Sequence, residues 1–295
     1  MDPVGFIGLG NMGMPMAANL LAAAHGLIVH DLREESVAHL VGRGATSARS
    51  PAAVADAASI VFVSLPTPEV VEQVVSGTRG ILAGRRAEII VDLSTTGPAA
   101  TARIIGRFDR PLDWVDAPVS GGVAGATAAT LALMVSGPEA TVARVRPLLD
   151  LLGRVTLVGD RPGLGQTMKL VNNLLAGGAL ALTAEALAMG AKAGLRPEIM
   201  IEVLNGASGR NTATADKFPR SVLNGRFDYG FAASLMHKDI GLFVDEAEAM
   251  GLSLPAAGAI RRLWRELLDE MGDGDFTTIA KLMERRAGVS LRASD

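Results

Sequence analysis

The chain has 295 residues, a formal net charge of -3 and no cysteine. That length allows two domains with separate cores at roughly 100 to 200 residues each. The charge offers no basic field for nucleic acid or an anionic membrane surface, and the lack of thiols excludes disulfides, thiolate metal sites and cysteine nucleophiles.

The first element is a short apolar strand, Val4 to Ile7, running into Gly8-Leu9-Gly10-Asn11-Met12-Gly13. This G-x-G-x-x-G spacing predicts a dinucleotide-binding turn. Gly8 permits the tight bend, Gly10 lets the backbone approach a pyrophosphate, and Gly13 allows the next helix to pack on the strand. The N-terminus of that helix, predicted over residues 14–24, attracts the phosphate charge. A second strand at residues 27–30 leads to Asp31, at the spacing expected for a carboxylate on a ribose hydroxyl. Such a carboxylate accepts hydrogen bonds from a 2′-hydroxyl and repels a 2′-phosphate, so Asp31 favours NAD, while nearby Arg33 and Arg43 leave NADP open. The plainer alternative is a glycine turn in an ordinary βαβ unit, with both arginines on a solvated helix start.

Up to about Asp160, short Val/Ile-rich strands alternate with helices, as in a mostly parallel sheet covered on both faces. Strands are predicted at residues 60–64, 89–92, 114–117, 131–135 and 156–158. Ligands collect at the carboxyl ends of such strands, so Ser64-Leu65-Pro66-Thr67 and Asp92-Leu93-Ser94-Thr95-Thr96 are candidate cofactor-lining loops; turn residues capping strand ends would look the same. After Arg161-Pro162-Gly163 the strand signal stops, which predicts an α/β Rossmann-type domain over 1–163 and an all-α domain over 164–295. The second domain opens with a long helix over 164–193, with Gly177-Gly178 as a close-packing point and Gly194 as C-cap. Further helices are predicted at 197–204, 234–250, 256–271 and 277–286, followed by a frayed tail over 289–295. A mean hydropathy of +0.31 invites a membrane reading. The uncharged run over 170–184 is too short for the about 20 residues a span requires, so it is expected to be buried between domains or subunits. A cytoplasmic location is expected, because a strand and glycine loop start at once without a basic leader.

Lys169 is the only charged side chain between Arg161 and Glu185, on an otherwise apolar helix start. Burial disfavours an ammonium and can bring its pKa toward the working pH, as a general acid/base lysine needs. Asn173, four residues on, projects from the same helix face, so the pair could hold a substrate hydroxyl while its proton leaves. Equally, Lys169 could snorkel to solvent and Asn173 cap a backbone group. In Asp116-Ala117-Pro118-Val119-Ser120-Gly121-Gly122, a strand end opens into a Ser-Gly-Gly turn whose amides and hydroxyl could form a nest for a carboxylate; a plain flexible loop is the other reading. In His237-Lys238-Asp239, Lys238 could reach a cofactor or substrate anion, while His237 and Asp239 read as surface or capping groups. His25, His30, His39 and His237 lack metal-ligand spacing, so no metal site is expected. No G-x-S-x-G elbow suggests hydrolysis.

Taken in order, these motifs resemble those of the β-hydroxyacid dehydrogenases, a family that includes 3-hydroxyisobutyrate dehydrogenase and tartronate semialdehyde reductase, over nearly the whole chain. Gly5 to Gly13 resembles the cofactor signature, Asp116 to Gly122 the substrate-carboxylate loop, and Gly165 to Asn173 the catalytic helix, with Lys238-Asp239 as the last motif. The resemblance implies hydride transfer between a nicotinamide cofactor and a small 3-hydroxy acid or semialdehyde. It implies Lys169 as general acid/base, Asn173 positioning the hydroxyl, and Ser120, Gly121 and Gly122 binding the carboxylate. Gly8, Gly10, Asn11, Met12, Gly13, Asp31, Leu65, Pro66, Thr95 and Lys238 would line the dinucleotide. It also implies an N-terminal Rossmann domain, an all-helical domain for substrate and subunit contacts as in 6-phosphogluconate dehydrogenase, and a homodimer or homotetramer. Neither nucleic acid nor a membrane is an expected partner. The small, mostly apolar segment over 123–127 leans toward a compact substrate such as 3-hydroxyisobutyrate. Tartronate, glyoxylate or succinic semialdehyde reduction and imine reduction are the alternatives, and a non-catalytic dinucleotide-binding scaffold is disfavoured because Lys169, Asn173 and the Ser120 loop are all present. Residues 205–214 depart from the two named enzymes; Arg210 and Asn211 could read a polar substrate group or belong to a glycine-rich interhelical loop.

Overall fold

Strands buried on both faces read as continuous apolar runs, and this is the pattern of the first half of the chain. The computed structural model describes residues 2–23 and 26–293. Its strands are β1 (Val4–Ile7), β2 (Leu27–His30), β3 (Thr46–Ser47), β4 (Ile60–Val63), β5 (Ile89–Asp92), β6 (Asp113–Asp116), β7 (Val119–Ser120), β8 (Leu131–Ser136) and β9 (Gly153–Gly159). Interleaved are α1 (Gly13–Ala22), α2 (Glu34–Val41), α3 (Pro51–Ala57), α4 (Pro68–Ser76), α5 (Pro98–Ile105), α6 (Gly122–Thr127) and α7 (Glu139–Leu149). The expected first helix is shorter than residues 14–24, and residue 24 lies outside the described residues.

Among the described residues the sheet runs β3-β2-β1-β4-β5-β6-β8-β7, with β9 paired to β8. The strands from β3 to β6 are parallel; β8 runs antiparallel to β6 and β7 and parallel to β9. The order reverses between β1 and β4, the topological switch point at which open α/β sheets form a ligand crevice. The side-chain period of two sends Phe6, Phe62, Val91 and Val115 into one packed layer and Ile7, Val61, Ile90 and Trp114 into the other. Phe6 and Phe62, paired in register, stack with ring centroids 6.1 Å apart.

The chain divides into two compact units, Met1–Lys169 and Leu170–Asp295. The division falls inside α8 (Leu164–Lys192), whose 29 residues are followed by a turn with Gly194 at φ +96°. The helix is therefore longer than the uncharged run within it. By length and composition alone it is apolar enough to cross a membrane, but half of its most apolar window is buried within the protein. Core helices of water-soluble proteins show the same property.

The second unit continues with α9 (Pro197–Gly206), a π-helix (Ala213–Val222), α10 (Ala233–Ala249), α11 (Pro255–Met271) and α12 (Ile279–Ala287) around Phe218, Trp264 and Phe276. Between the predicted helices at 197–204 and 234–250 the structure adds an element where none was expected, and at the C-terminus one expectation fails. The segment after residue 205 carries the π-helix, entered through Asn211, whose Oδ1 accepts from the amides of Ala213 and Thr214 at 2.7 and 3.2 Å. The expected frayed tail is anchored over residues 289–293, with 294 and 295 outside the described residues: Leu291 is fully buried, its amide donates to Glu284, and the Ala293 amide donates to Leu223 O.

Candidate active site

The glycine loop performs three steric tasks at three positions. At Gly8, φ is +94° and a Cβ would lie 2.2 Å from Ser64 O. At Gly13 a Cβ would lie 1.9 Å from Gly8 O, so only glycine lets α1 start against β1. At Gly10 a Cβ would have only Arg33 Nη2 near it, at 3.8 Å, leaving the backbone open to an approaching group. Helices α3 and α4 are capped by the Ser50 and Thr67 hydroxyls, whereas α1 has no side-chain cap. Met14 N donates to Gly10 O at 2.9 Å and Pro15 has no N–H, so what favours an anion at this helix start is the helix dipole rather than a row of free amides. Asn11 is exposed and Met12, at the N-cap, is half-buried. The loop has the form a pyrophosphate requires.

Asp31 closes the end of β2. Its Oδ2 accepts from the Leu9 amide at 2.5 Å and its Oδ1 from the Arg33 amide at 2.7 Å, while Arg33 Nη2 donates to Leu9 O at 2.6 Å. Partial burial pushes the Asp31 carboxyl up, but the Arg33 and Leu9 amides and the Arg33 guanidinium together hold it below its ordinary range. It therefore stays ionised and ready to accept from hydroxyls.

The loops after β4 and β5 are tied together, since the Leu65 amide donates to Ser94 Oγ at 2.9 Å. Leu65 and Thr95 are half-buried and Pro66 is exposed. Beneath them lie two carboxylates, Asp92 and Asp116, that end the apolar strands β5 and β6 and are inaccessible to solvent. Burial pushes the Asp92 carboxyl up to about 7 against the opposing hydrogen bonds of Thr96 and Ser94. Burial likewise raises Asp116, which accepts from Ser136 Oγ, Trp114 Nε1 and the Gly163 amide. The Gly163 amide, 2.6 Å from Asp116 Oδ2, precedes the start of α8, so a carboxylate sits where the helix dipole favours it. Sequence reading gave these two residues and Gln166 no role of their own, although an acid closing an Ile-Ile-Val or Trp-Val run was a visible signal.

Lys169, one turn into α8, is 8% exposed and its Nζ donates to Val119 O at 2.7 Å. It does not snorkel to solvent. Val119 precedes Ser120, and Ser120-Gly121-Gly122 turns from β7 into α6 with φ of +137° at Gly121 and +64° at Gly122. An added Cβ at Gly122 would meet nothing within 4 Å, so its backbone is open as well. The candidate acid/base group and the candidate carboxylate nest are thus joined by one hydrogen bond.

In the second unit, Asn173 is buried, its Nδ2 donates to Asp239 Oδ2 at 2.5 Å, and its Oδ1 accepts from Asn172 at 2.9 Å. Lys238 Nζ lies 2.7 Å from Asp239 Oδ1. Asp239 is therefore no surface or capping group: it is 2% exposed and holds both neighbours. Its signal was periodicity, because it falls with Ala233, Met236 and Ile240 on the buried face of α10. His237 pairs with Arg265, whose Nε donates to its Nε2 at 3.2 Å.

Comparison with known proteins agrees with this arrangement. A family model described as the NAD binding domain of 6-phosphogluconate dehydrogenase matches residues 3–159, and one described as NAD-binding of NADP-dependent 3-hydroxyisobutyrate dehydrogenase matches residues 163–283. The chain is 40% identical over 293 residues to 2-(hydroxymethyl)glutarate dehydrogenase of Eubacterium barkeri, covering 98% of this chain and 97% of the relative. It is 39% identical to 3-hydroxyisobutyrate dehydrogenase of Pseudomonas aeruginosa, over 96% of this chain and 98% of that one. Among solved structures, 3-hydroxyisobutyrate dehydrogenase of Mycobacterium tuberculosis with L-serine matches with a TM-score of 0.85 and 32% identity, over 96% of this chain and 99% of that one. These matches span both units, and both family models are described as NAD-binding. The chain belongs to the β-hydroxyacid dehydrogenase family of NAD(P)-dependent oxidoreductases.

Proposed function

We propose that the protein oxidises a small 3-hydroxy acid of the 3-hydroxyisobutyrate type with NAD, and reduces the matching semialdehyde in reverse, with Lys169 as the proton-transfer group. The observation that carries this reading is the buried Lys169 ammonium hydrogen-bonded to Val119 O, next to Ser120. When bound, the nicotinamide supplies the hydride acceptor. The Ser120 hydroxyl and the Gly121 and Gly122 amides hold the substrate carboxylate, and Asn173, oriented by Asp239, steadies the hydroxyl. As the neutral amine, Lys169 takes the hydroxyl proton during oxidation; as the ammonium, it donates that proton in the reverse direction. Gly8, Gly10, Asn11, Met12 and Gly13 receive the pyrophosphate, Asp31 the adenosine ribose, and Leu65, Pro66, Thr95 and Lys238 line the remainder.

The ionised Asp31 supports NAD over NADP, since a 2′-phosphate would face a negative charge. Residues 1–163 form the dinucleotide domain in this reading and 164–295 the substrate and subunit domain. Leu175, Leu182 and Met189, spaced by seven on α8 and 67%, 59% and 71% exposed, form an apolar stripe that supports a homodimer or homotetramer. A cysteine-free chain suits the cytoplasm.

The test is NADH formation with 3-hydroxyisobutyrate, 2-(hydroxymethyl)glutarate, L-serine and glycerate, each repeated with NADP. Turnover with NAD and a compact hydroxy acid is expected. A preference for NADP overturns the role of Asp31. No turnover with any of these acids or the corresponding semialdehydes, with NADH still bound, overturns the catalytic reading.

A further inference from the structure

The fully buried amide of Gln166 lies three residues before Lys169 on α8. Its Oε1 accepts from the backbone amides of Thr96 at 2.8 Å and Gly97 at 3.1 Å. Its Nε2 donates to Asp92 Oδ2 at 3.2 Å and to Ser94 O at 3.0 Å. A glutamine offers two acceptor lone pairs and two N–H donors, so every capacity of this side chain is used, and only one orientation satisfies it. Turning the amide over would aim donors at two donors and an acceptor at two acceptors.

We infer that Gln166 is a positioning residue for Lys169, clamping the first turn of α8 to the loop after β5 so that the lysine and Thr95 are aligned together. The inference rests on the reading of Lys169 as the proton-transfer group. The geometry gives the clamp its leverage. Residues three apart on a helix share a face, so a small rotation of the first turn that breaks the Gln166 bonds also carries Lys169 Nζ away from Val119 O. Thr95 is bracketed by Ser94 and Thr96, both of which Gln166 holds. Ser94 in turn anchors Leu65, so the same amide reaches the loop after β4. The backbone contacts of the helix start, Gly163 N to Asp116 and Gly165 N to Ser136 Oγ at 2.8 Å, set where α8 begins. Gly165 makes this close seating possible, because a Cβ there would lie 2.5 Å from Met134 O. Gln166, a side chain reaching from helix to loop, sets the helix rotation.

Two variants separate positioning from bulk stability. Gln166→Met keeps the length and burial but loses all four bonds. Gln166→Glu keeps an acceptor for Thr96 and Gly97 but sets a carboxyl oxygen against Asp92 Oδ2 and Ser94 O, with Asp116 facing its backbone amide and Lys169 one turn on; only a shared proton restores that contact. Gln166→Met is expected to lower kcat by about 10- to 100-fold with KM and NADH affinity within about threefold. Lys169 should react with acetic anhydride several-fold faster, read by mass spectrometry. Gln166→Glu should regain turnover as pH is lowered from about 9 to about 6, against the flat loss of Gln166→Met. A Gln166→Met enzyme with kcat within about twofold of wild type, or one losing kcat and NADH affinity by the same factor, overturns the clamp. So does a Gln166→Glu pH profile parallel to that of the wild type, which also serves if the methionine variant fails to fold. Should the wild-type protein turn over no hydroxy acid, the fault lies with the functional reading, and an unchanged Lys169 labelling rate then overturns the clamp by itself.

Discussion

Alanine at Gly10 and at Gly13 should have opposite consequences, although the two glycines are three residues apart in one motif. The Gly13→Ala methyl would fall 1.9 Å from Gly8 O and 3.3 Å from Phe6 Cε1. A contact that short cannot persist, so the loop must move by about 1 Å against a packed strand end, an overpacking cost of about 1–3 kcal/mol. For a unit of this size that lowers Tm by about 2–12 °C. The Gly10→Ala methyl would meet only Arg33 Nη2, at 3.8 Å, so stability should change by no more than about 0.5 kcal/mol. It would, however, occupy the space through which the backbone approaches a pyrophosphate. The same 1–3 kcal/mol now falls on binding, weakening NADH by about 5- to 150-fold. Differential scanning fluorimetry and NADH fluorescence titration read both effects on the same samples. A Gly10→Ala protein with unaltered NADH affinity, or one with as large a fall in Tm as Gly13→Ala, would refute the division of tasks within the loop.

Lys169→Ala should lower kcat by about 10²- to 10⁴-fold while leaving NADH affinity nearly intact; equal loss of both in titration and turnover assays would make the residue structural. Asp92 predicts a stability slope. Its carboxyl, raised from 3.8 to about 7, holds a proton in the folded state that the unfolded chain releases, so its contribution falls as pH rises through that window, by about 4 kcal/mol in all. Asp92→Asn removes the titration, so urea midpoints of variant and wild type should diverge in the variant's favour between those pH values; parallel curves would contradict the assignment. Leu182→Arg puts a charge in the middle of the apolar stripe of α8 and should shift the protein to monomers in light scattering after size exclusion, with an unchanged mass refuting the stripe as a subunit contact.

The parallel sheet, the glycine loop and the run of helices were legible from local pattern, because each depends on neighbours in sequence. Continuous apolar Val/Ile-rich strands, G-x-G-x-x-G spacing and the isolation of Lys169 on an apolar helix start need no tertiary information. Asn173 and Ser120 were visible for the same reason. What the chain does with its other polar residues was decided by contacts between segments far apart in sequence. Gln166 meets Thr96 across 70 residues and Asp92 across 74, and Asn173 meets Asp239 across 66. No periodicity encodes such pairs. They arise because a buried amide or carboxylate must find its hydrogen bonds inside the protein once water is excluded. The tail misread as frayed follows the same rule, since Leu291 finds its apolar surroundings only after the helices have packed. Sequence alone marked the candidates for binding a dinucleotide and moving a proton, because those capacities belong to residue type and local spacing. Tertiary structure alone decided which side chains hold Lys169, Thr95 and Asn173 in place, because that depends on distances only a closed core creates.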